Sequence, residues 1–369
     1  QEMAVITYKC PNCGGDLRFD PATQRYKCEY CGSDFSQEEL EQMKPTEGQE
    51  QKAEDFAQTG ARKPDGGQSA DGIERDSAGE EAVVYSCPSC GAEIVTDATT
   101  AATFCYYCHN PVVLSGRLSG EYLPDQIIPF LIDKESAVEQ FMTYVKKKKF
   151  VPKAFFNEDQ IEKLSGVYYP YWIYDCQTEG RVCGEATKVQ TWQTGDTEYV
   201  KTRYFHVERE GQVKLKNITK NALKKADNVL AEGVLPYRLK EKQPFSMGYL
   251  SGFLAEKRDI EKKSLEPEVR DEVKDYAQRI LRDSINGYHS VTLDSKQVDM
   301  EKENWSYLLL PVWVLTYASR GGSVYYYTMN GQTGKICGKL PVDYGRLIAF
   351  AGIVSVIVMF VLLWIAYMI

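Results

Sequence analysis

Eight of the eleven cysteines occur as four Cys-x-x-Cys pairs, a pattern typical of metal ligands. In each half of the set, fourteen residues separate one pair from the next. Two thiolates on one tight turn can face one ion, and two such turns close a tetrahedral cage with no open position. The spacing therefore predicts two structural, non-catalytic metal sites. Their ligands are Cys10, Cys13, Cys28 and Cys31 in the first, and Cys87, Cys90, Cys105 and Cys108 in the second.

The two halves form an internal repeat at an offset of 77, since Tyr8-x-Cys10-Pro11-x-Cys13-Gly14 matches the segment that begins at Tyr85. These units resemble zinc ribbons of the TFIIB type and the rubredoxin-like knuckle. Two structural Zn²⁺ ions are therefore expected, with iron, disulfides or buried thiols as alternatives. His109 takes the place of Gly32 in the second unit and is interpreted as a knuckle residue, because four cysteines already complete a site.

The charge distribution argues against nucleic acid as a partner. The chain has 44 basic and 52 acidic residues, a net charge of −8. The predicted first ribbon, 1–40, has four basic against seven acidic residues, and the second, 82–120, has one against two. Neutralising phosphates needs clustered Lys and Arg, so protein contacts suit these ribbons better.

Two segments outside the ribbons stand out by composition. Residues 41–81 have eleven acidic against five basic residues and few large apolar side chains, so they are predicted to be a flexible acidic linker that leaves the first ribbon mobile. Residues 347–369 contain no charge and would span about 34 Å as a helix. We therefore expect a C-terminal transmembrane tail anchor at 346–369. Basic residues before it predict a single-pass protein of the cell membrane with its N-terminal bulk in the cytoplasm.

The remaining residues, 121–345, are expected to form a duplicated core. Tyr169–Tyr174 resembles Leu310–Leu315 at an offset of 141, and each apolar strand follows an amphipathic helix, at 135–149 and 267–285. Alternating segments then predict hairpins, which include the turn at 330–334. The predicted fold class is thus α+β: two small β zinc ribbons, a duplicated α+β core with antiparallel sheet, in one sheet or two, and one transmembrane helix.

Three core motifs carry a more specific resemblance: Pro244–Lys257 (PFSMGYLSGFLAEK), Leu309–Trp313 (LLPVW), and Met329–Lys335 followed by Leu340–Asp343. With the ribbons and the C-terminal span, they resemble the TFIIB-type zinc-ribbon membrane proteins of Gram-positive bacteria, often labelled primosomal replication-restart helicases. Some members are encoded beside phage-shock-protein A homologues and SPFH-domain proteins. The resemblance therefore implies a role in envelope stress or membrane remodelling, with such proteins as partners.

The sequence gives little sign of catalysis. A P-loop needs Gly-x-x-x-x-Gly-Lys-[Ser/Thr], but Ile336 follows Gly334-Lys335 and Met329 takes the place of the first Gly. No nucleophile elbow or His-Glu-x-x-His motif occurs. Cys176, Cys183 and Cys337 are interpreted as buried or incidental thiols, although Cys176 and Cys183 could meet across a hairpin as a redox pair.

The basic run Lys146, Lys147, Lys148 and Lys149 has two interpretations: a solvated helix end that complements the macrodipole, or a contact with anionic lipid headgroups. For the whole chain we expect a non-enzymatic, membrane-anchored adaptor that recruits cytoplasmic proteins through its ribbons and takes no small-molecule substrate. The alternatives are a zinc- or redox-responsive sensor and an enzyme that acts on nucleic acid.

Overall fold

The computed structural model of the protein describes residues 5–42, 46–47, 83–87, 90, 93–105, 108–148, 150–151, 164–318, 324–338 and 342–368. Most of the predicted acidic linker, Lys149 and part of the third core motif lie outside these residues. The chain divides into two compact units. The ribbon unit comprises 1–169, 225–257 and 309–369, and the hairpin unit comprises 170–224 and 258–308.

The described secondary structure comprises both strands and helices, as an α+β protein requires. The strands are β1 Val5–Thr7, β2 Leu17–Asp20, β3 Arg25–Cys28, β4 Asp34–Phe35, β5 Thr46–Glu47, β6 Val83–Ser86, β7 Glu93–Thr96, β8 Thr100–Phe104, β9 Pro111–Leu114, β10 Gln126–Ile127, β11 Ser165–Thr194, β12 Thr197–Asn221, β13 Gln243–Pro244, β14 Leu254–Glu256, β15 Ser290–Ala318, β16 Val324–Asn330 and β17 Ile336–Gly338. The helices are α1 Gln37–Gln42, α2 Lys134–Lys146, α3 Asn228–Gly233, α4 Lys262–Asp283 and α5 Tyr344–Met368.

Elements of the same kinds follow in the same order in the two segments for which the sequence predicts a duplication. One half runs β10, α2, β11, β12, and the other runs β14, α4, β15, β16. In each half a short strand and an amphipathic helix precede a long strand and its hairpin partner. Strands β11 and β15, of 30 and 29 residues, extend far beyond the apolar hexamers that predicted them. Each contributes residues to both units.

The ribbon unit contains a mixed sheet, whereas an antiparallel one was expected. Strand β14 pairs in parallel with the start of β11, where Val167 lies opposite Leu254, and antiparallel with β8. An aromatic cluster fills the core of this unit: the ring of Phe130 stacks on Phe253 at 4.3 Å between centroids and meets Trp313 at 5.0 Å. Gly166 makes room for it, since a Cβ there would lie 2.6 Å from the Phe253 ring. Two of the core motifs thus supply packing residues.

The hairpin unit is built on the antiparallel pairing of β11 and β12, which continues from Tyr171 opposite Asn221 to Thr194 opposite Thr197. Helix α4 buries its apolar face against this hairpin and β15. Leu281 and Ala277 of α4 belong to one cluster with Val182 and Val213. The helix begins at Lys262, earlier than predicted, so that Pro267 lies inside it and not at its first turn.

The C-terminal helix α5 matches the predicted tail anchor in place and composition. Its residues 344–365 form one helix that is long and apolar enough to cross a membrane, about 33 Å at 1.5 Å per residue. None of this stretch is buried in the protein, and large apolar side chains such as Phe360 and Trp364 are more than 60% exposed. A helix in a protein core would bury such side chains.

Candidate metal centres

The structure brings the four cysteines of each predicted set together. In the first cluster, the sulfurs of Cys10 and Cys31 lie 3.6 Å apart, and those of Cys13 and Cys28 lie 3.4 Å apart. In the second, the corresponding distances are both 3.7 Å, for Cys87 with Cys108 and Cys90 with Cys105. All four sulfurs in each cluster lie within 4.8 Å of one another, so each set could hold one metal ion.

These distances fit a tetrahedral metal cage. Zinc–thiolate bonds of about 2.3 Å place ligand sulfurs about 3.8 Å apart in a tetrahedron. A disulfide would need a sulfur–sulfur distance of about 2 Å, so the spacing excludes a bonded pair in either cluster. Two cysteines of each set are buried, namely Cys10 and Cys28 in the first and Cys87 and Cys105 in the second. Each cage is therefore half enclosed by the protein, with its other face toward solvent.

The turns that present the sulfurs have the knuckle geometry that the repeat predicts. In the first ribbon, the Gly32 N–H donates to the Cys28 carbonyl at 2.9 Å, with φ of 73° at Gly32. In the second, the His109 N–H donates to the Cys105 carbonyl at the same distance, with φ of 56°. His109 thus occupies the left-handed position of a knuckle and is not among the clustered ligands. The interpretation of His109 as a knuckle residue is confirmed.

A serine in the first ribbon favours a thiolate ligand. Hydrogen bonds from the Ser33 hydroxyl and backbone N–H to the Cys31 sulfur lower the pKa of this thiol to about 6. The two atoms Cys31 Sγ and Ser33 Oγ lie 3.2 Å apart. A thiolate is the form that binds zinc, so these hydrogen bonds favour the metal-binding form of Cys31.

Two strands of the second ribbon, β8 and β9, belong to the large sheet of the ribbon unit, while β6 and β7 pair with each other in a separate sheet. Its strand β8 pairs with β14 of the core, where Ala102 lies opposite Ala255, and its strand β9 pairs with β1 of the first ribbon. The buried Arg117 links β6 to β8, because its Nε donates to the Tyr85 hydroxyl at 2.8 Å and its Nη1 donates to the Thr100 carbonyl at 3.1 Å. The boundary predicted at residue 120 therefore does not separate the second ribbon from the core.

An ion-pair network joins this ribbon to the rest of its unit. The ammonium of Lys225 lies 2.7 Å from Asp97 and 2.9 Å from Glu256. Burial opposes ionisation of Asp97, but hydrogen bonds from Lys225 and Thr100 outweigh it and hold the pKa of this carboxyl well below its usual value. For the more buried Glu256, desolvation prevails and raises the pKa. Asp97 is therefore the firmly ionised partner of Lys225.

The first ribbon docks on the core through a backbone hydrogen bond and through side chains. The Phe19 N–H donates to the Ser251 carbonyl at 2.9 Å, and the Ser251 hydroxyl donates to the Leu17 carbonyl. The Phe19 ring meets Tyr249 edge-on at 5.3 Å between centroids. At Gly248, a Cβ would lie only 2.4 Å from a methyl of Leu40. The first ribbon is therefore packed on the core, whereas the sequence predicted that it would be mobile.

The three cysteines outside the clusters do not form a site. Cys176 and Cys183 lie on the same strand, β11, so they cannot meet across a hairpin, and seven residues of strand separate them by about 23 Å. Cys176 is buried among Val269 and Val273 of α4. Cys337 lies on β17, with its sulfur 3.6 Å from the Val229 carbonyl. The predicted alternative of a Cys176–Cys183 redox pair is wrong.

The chain is 32% identical to the uncharacterized protein YdjG of Bacillus subtilis (strain 168) over 350 residues, which cover 95% of this chain and 94% of YdjG. The chain belongs to the YdjG family. No protein-family profile and no solved structure matches the chain. Because the match covers 95% of this chain, membership in the YdjG family applies to nearly the whole sequence.

The sequence did not predict the surface on which the first ribbon docks. The motif Pro244–Lys257 carries its key residues, Gly248, Tyr249 and Ser251. A glycine beside an aromatic residue in a short, otherwise apolar segment is a signal for close packing. That signal does not identify the residues that make the contact. The Ser251 hydroxyl, for example, bonds to Leu17, which lies 234 residues earlier in the chain.

Proposed function

We propose that the protein is a non-enzymatic adaptor, anchored in the cell membrane by α5, that holds zinc in both clusters and recruits cytoplasmic proteins through its ribbons. Zinc suits four thiolates in a tetrahedron, and four protein ligands leave no position for a substrate. In this function the metal stabilises the ribbons and takes no part in a reaction. The net negative charge of both ribbons favours proteins over nucleic acid as partners.

The observation that carries this proposal is the exposure of Tyr30. Its side chain is 77% exposed on the knuckle between Cys28 and Cys31, while Phe19 of the same ribbon is packed on Tyr249 of the core. Tyrosine is enriched at the energetic centres of protein interfaces, because a large rigid ring contributes contact area at little entropic cost. A ribbon held by zinc and by the core would present this ring in a fixed place.

The partners that the resemblance implies are phage-shock-protein A-like or SPFH-domain proteins. Both would meet the adaptor on the cytoplasmic face of the membrane, in the orientation favoured by Lys335 and Lys339 before α5 and by Arg346 in its first turn. An envelope-stress or membrane-remodelling role follows from these partners. The adaptor would then couple their recruitment to a fixed site on the bilayer.

The test is an affinity purification of the full chain from its own membranes in gentle detergent, with bound proteins identified by mass spectrometry. Tyr30→Ala is compared with wild type and with Tyr204→Ala, a matched change of a 72% exposed tyrosine in the hairpin unit. We expect Tyr30→Ala to recover at least tenfold less of a specific partner protein than wild type does. The variant should still retain two zinc ions per chain. Equal recovery from all three proteins would contradict recruitment by this ribbon.

A second candidate, a redox-responsive zinc sensor, is favoured by the exposure of Cys13, Cys31 and Cys90. Exposed thiolates are the first to react with an oxidant, and oxidation would release the ion. Zinc release is therefore followed with a colorimetric chelator while peroxide is added at micromolar concentration. Release within minutes would support the sensor, and zinc that stays bound in millimolar peroxide would exclude it.

A further inference from the structure

The end of α2 and the start of α5 are joined by direct contacts within the ribbon unit. The rings of Phe150 and Phe350 meet edge-on at 5.4 Å between centroids. The guanidinium of Arg346 donates to the Val151 carbonyl at 3.2 Å, and the Asp343 N–H donates to the Phe150 carbonyl at 2.7 Å. These bonds hold the chain that follows α2 against the first two turns of the apolar helix.

This junction sets the level of the basic run relative to a bilayer. Phe350 lies six residues after the start of α5, about 9 Å along its axis. Because 344–365 is only slightly longer than a hydrocarbon core of about 30 Å, the first turn of α5 must lie near the headgroups if the helix spans. Phe150, which packs on Phe350, then lies near this level, and so does the end of α2 at Lys146–Lys148.

The ammonium groups at this level are free to bind an anion. Lys146, Lys147 and Lys148 are exposed, and no carboxylate lies within ion-pair distance of them among the residues that the structure describes. Lys148 lies over the ring of Tyr144, with its Nζ 5.0 Å from the centroid. Lys147 lines a shallow groove with Thr143, Tyr144 and Glu139. Arg346 is already paired with Asp343 at 3.2 Å, and it also bonds to the Val151 carbonyl. It is therefore not counted among the free cations.

We propose that Lys146, Lys147 and Lys148 form a binding site for the phosphate headgroups of anionic lipids at the base of α5. The proposal rests on the membrane anchoring proposed above, since α5 brings the lysines to the headgroups. A lysine near an anionic surface contributes about 1 kcal/mol. The site would fix the ribbon unit on the bilayer surface and give the adaptor a preference for regions rich in anionic lipid.

The experiment uses the full chain reconstituted into nanodiscs of phosphatidylcholine alone, or of phosphatidylcholine with one lipid in three replaced by phosphatidylglycerol. Acylation of each lysine by a water-soluble amine reagent is followed by mass spectrometry at low salt. We expect phosphatidylglycerol to slow acylation of Lys146–Lys148 about fivefold per residue, the factor that corresponds to about 1 kcal/mol. Exposed lysines of β12, namely Lys201, Lys214 and Lys216, are the internal reference and should change less than twofold.

Further arms separate the sources of the effect. Salt at about 0.5 M should abolish the protection, because screening weakens exposed charge contacts. Inorganic phosphate with phosphatidylcholine discs should give none. Equal acylation in both lipids would overturn the proposal and leave the lysines as a helix end that complements the macrodipole. Protection by free phosphate alone would overturn it too, since the bilayer would then not be the ligand.

A variant tests the consequence for binding. Lys146→Gln, Lys147→Gln and Lys148→Gln together should abolish the enrichment of the full chain in phosphatidylglycerol-rich vesicles when it partitions between two vesicle populations. The matched control changes Lys201, Lys214 and Lys216 to Gln and should partition as wild type does. If the wild-type chain is extracted from vesicles by alkaline carbonate, anchoring by α5 fails. If it resists extraction but shows no lipid preference, the headgroup site alone fails.

Discussion

The two cysteine clusters have the same spacing and closely similar cages but are attached to the fold in different ways. The second ribbon shares backbone hydrogen bonds with the core, because its strand β8 pairs with β14. The first contributes only its short strand β1 to the large sheet, through β9, and docks on the core chiefly through Phe19 and Ser251. Each ribbon also has a small sheet of its own, β2-β3-β4 in the first and β6-β7 in the second. Cysteine spacing thus predicts the cysteine cluster, while the segments outside it decide how a ribbon is attached to the larger sheet.

Loss of one metal ligand should have the largest effect and should differ between the ribbons. Cys105→Ser removes a buried ligand next to β8, so we expect more than about 4 kcal/mol of destabilisation. Hydrogen exchange should increase in β8, β9 and β14. Cys28→Ser should release only the first ribbon and its docking segment. Each variant should retain one metal ion per chain by elemental analysis. Identical exchange patterns would contradict the distinction between the ribbons.

Removal of a docking side chain should free the first ribbon and leave its metal in place. Phe19 is 4% exposed and packs on three aromatic rings, so Phe19→Ala should cost about 3–5 kcal/mol. Protease cleavage between the ribbons and amide exchange over 246–253 should both accelerate, with two metal ions still bound. Tyr30→Ala, a change of an exposed aromatic in the same ribbon, is the control and should leave both rates unchanged. If Phe19→Ala loses metal as well as docking, then metal binding by the first ribbon depends on its docking.

The ion pair of the second ribbon should matter less. Asp97→Asn keeps the shape but removes the charge that faces Lys225, at an expected cost of about 1–2 kcal/mol by chemical denaturation at pH 7. Because the folded state lowers the pKa of Asp97, the carboxylate contributes its stability above the unfolded-state value of about 3.9 and loses it only below that. The gap to wild type should therefore be constant between pH 6 and 8. A gap that changes in this range would assign the effect to another group.

The smallest effects are expected at the equivalent knuckle positions, with opposite signs. His109→Gly should stabilise by up to about 1 kcal/mol, since glycine adopts φ of 56° without the cost that histidine bears. Gly32→Ala should destabilise by a similar amount, and purely through the backbone, because a Cβ at Gly32 meets no atom within 4 Å. Melting temperatures of the zinc-loaded proteins measure both. Changes of equal sign would mean that His109 makes a contact that offsets its strain.

Local patterns predicted the local features of this fold. The cysteine spacing predicted both four-cysteine clusters, the uncharged C-terminal segment predicted α5, and the match between Tyr169–Tyr174 and Leu310–Leu315 predicted a long strand at each of these places. Each of these rests on residues close together in the chain or on a periodicity of side chains. The metal cages needed no knowledge of the rest of the protein, because the turns alone determine where the sulfurs point.

Features that depend on distant pairing were not predictable in this way. The parallel pairing of β14 with β11 joins Leu254 to Val167, and nothing in either sequence states the direction of the partner. The length of β11 was underestimated because its second half is polar on the exposed side and has weak strand signals. Docking of the first ribbon was not predicted because it too depends on a distant partner. Gly248 and Ser251 indicate a close contact but do not identify the segment that packs there.

The distance along the chain between the first ribbon and its docking segment also orders events during synthesis. Leu17 leaves the ribosome 234 residues before Ser251, which corresponds to roughly 10–50 s at about 5–20 residues per second. Throughout that interval the ribbon has no core to cover Phe19. Under the zinc binding proposed above, metal capture would keep the nascent ribbon folded through this interval, and availability of the ion during translation would then limit the yield of the finished protein.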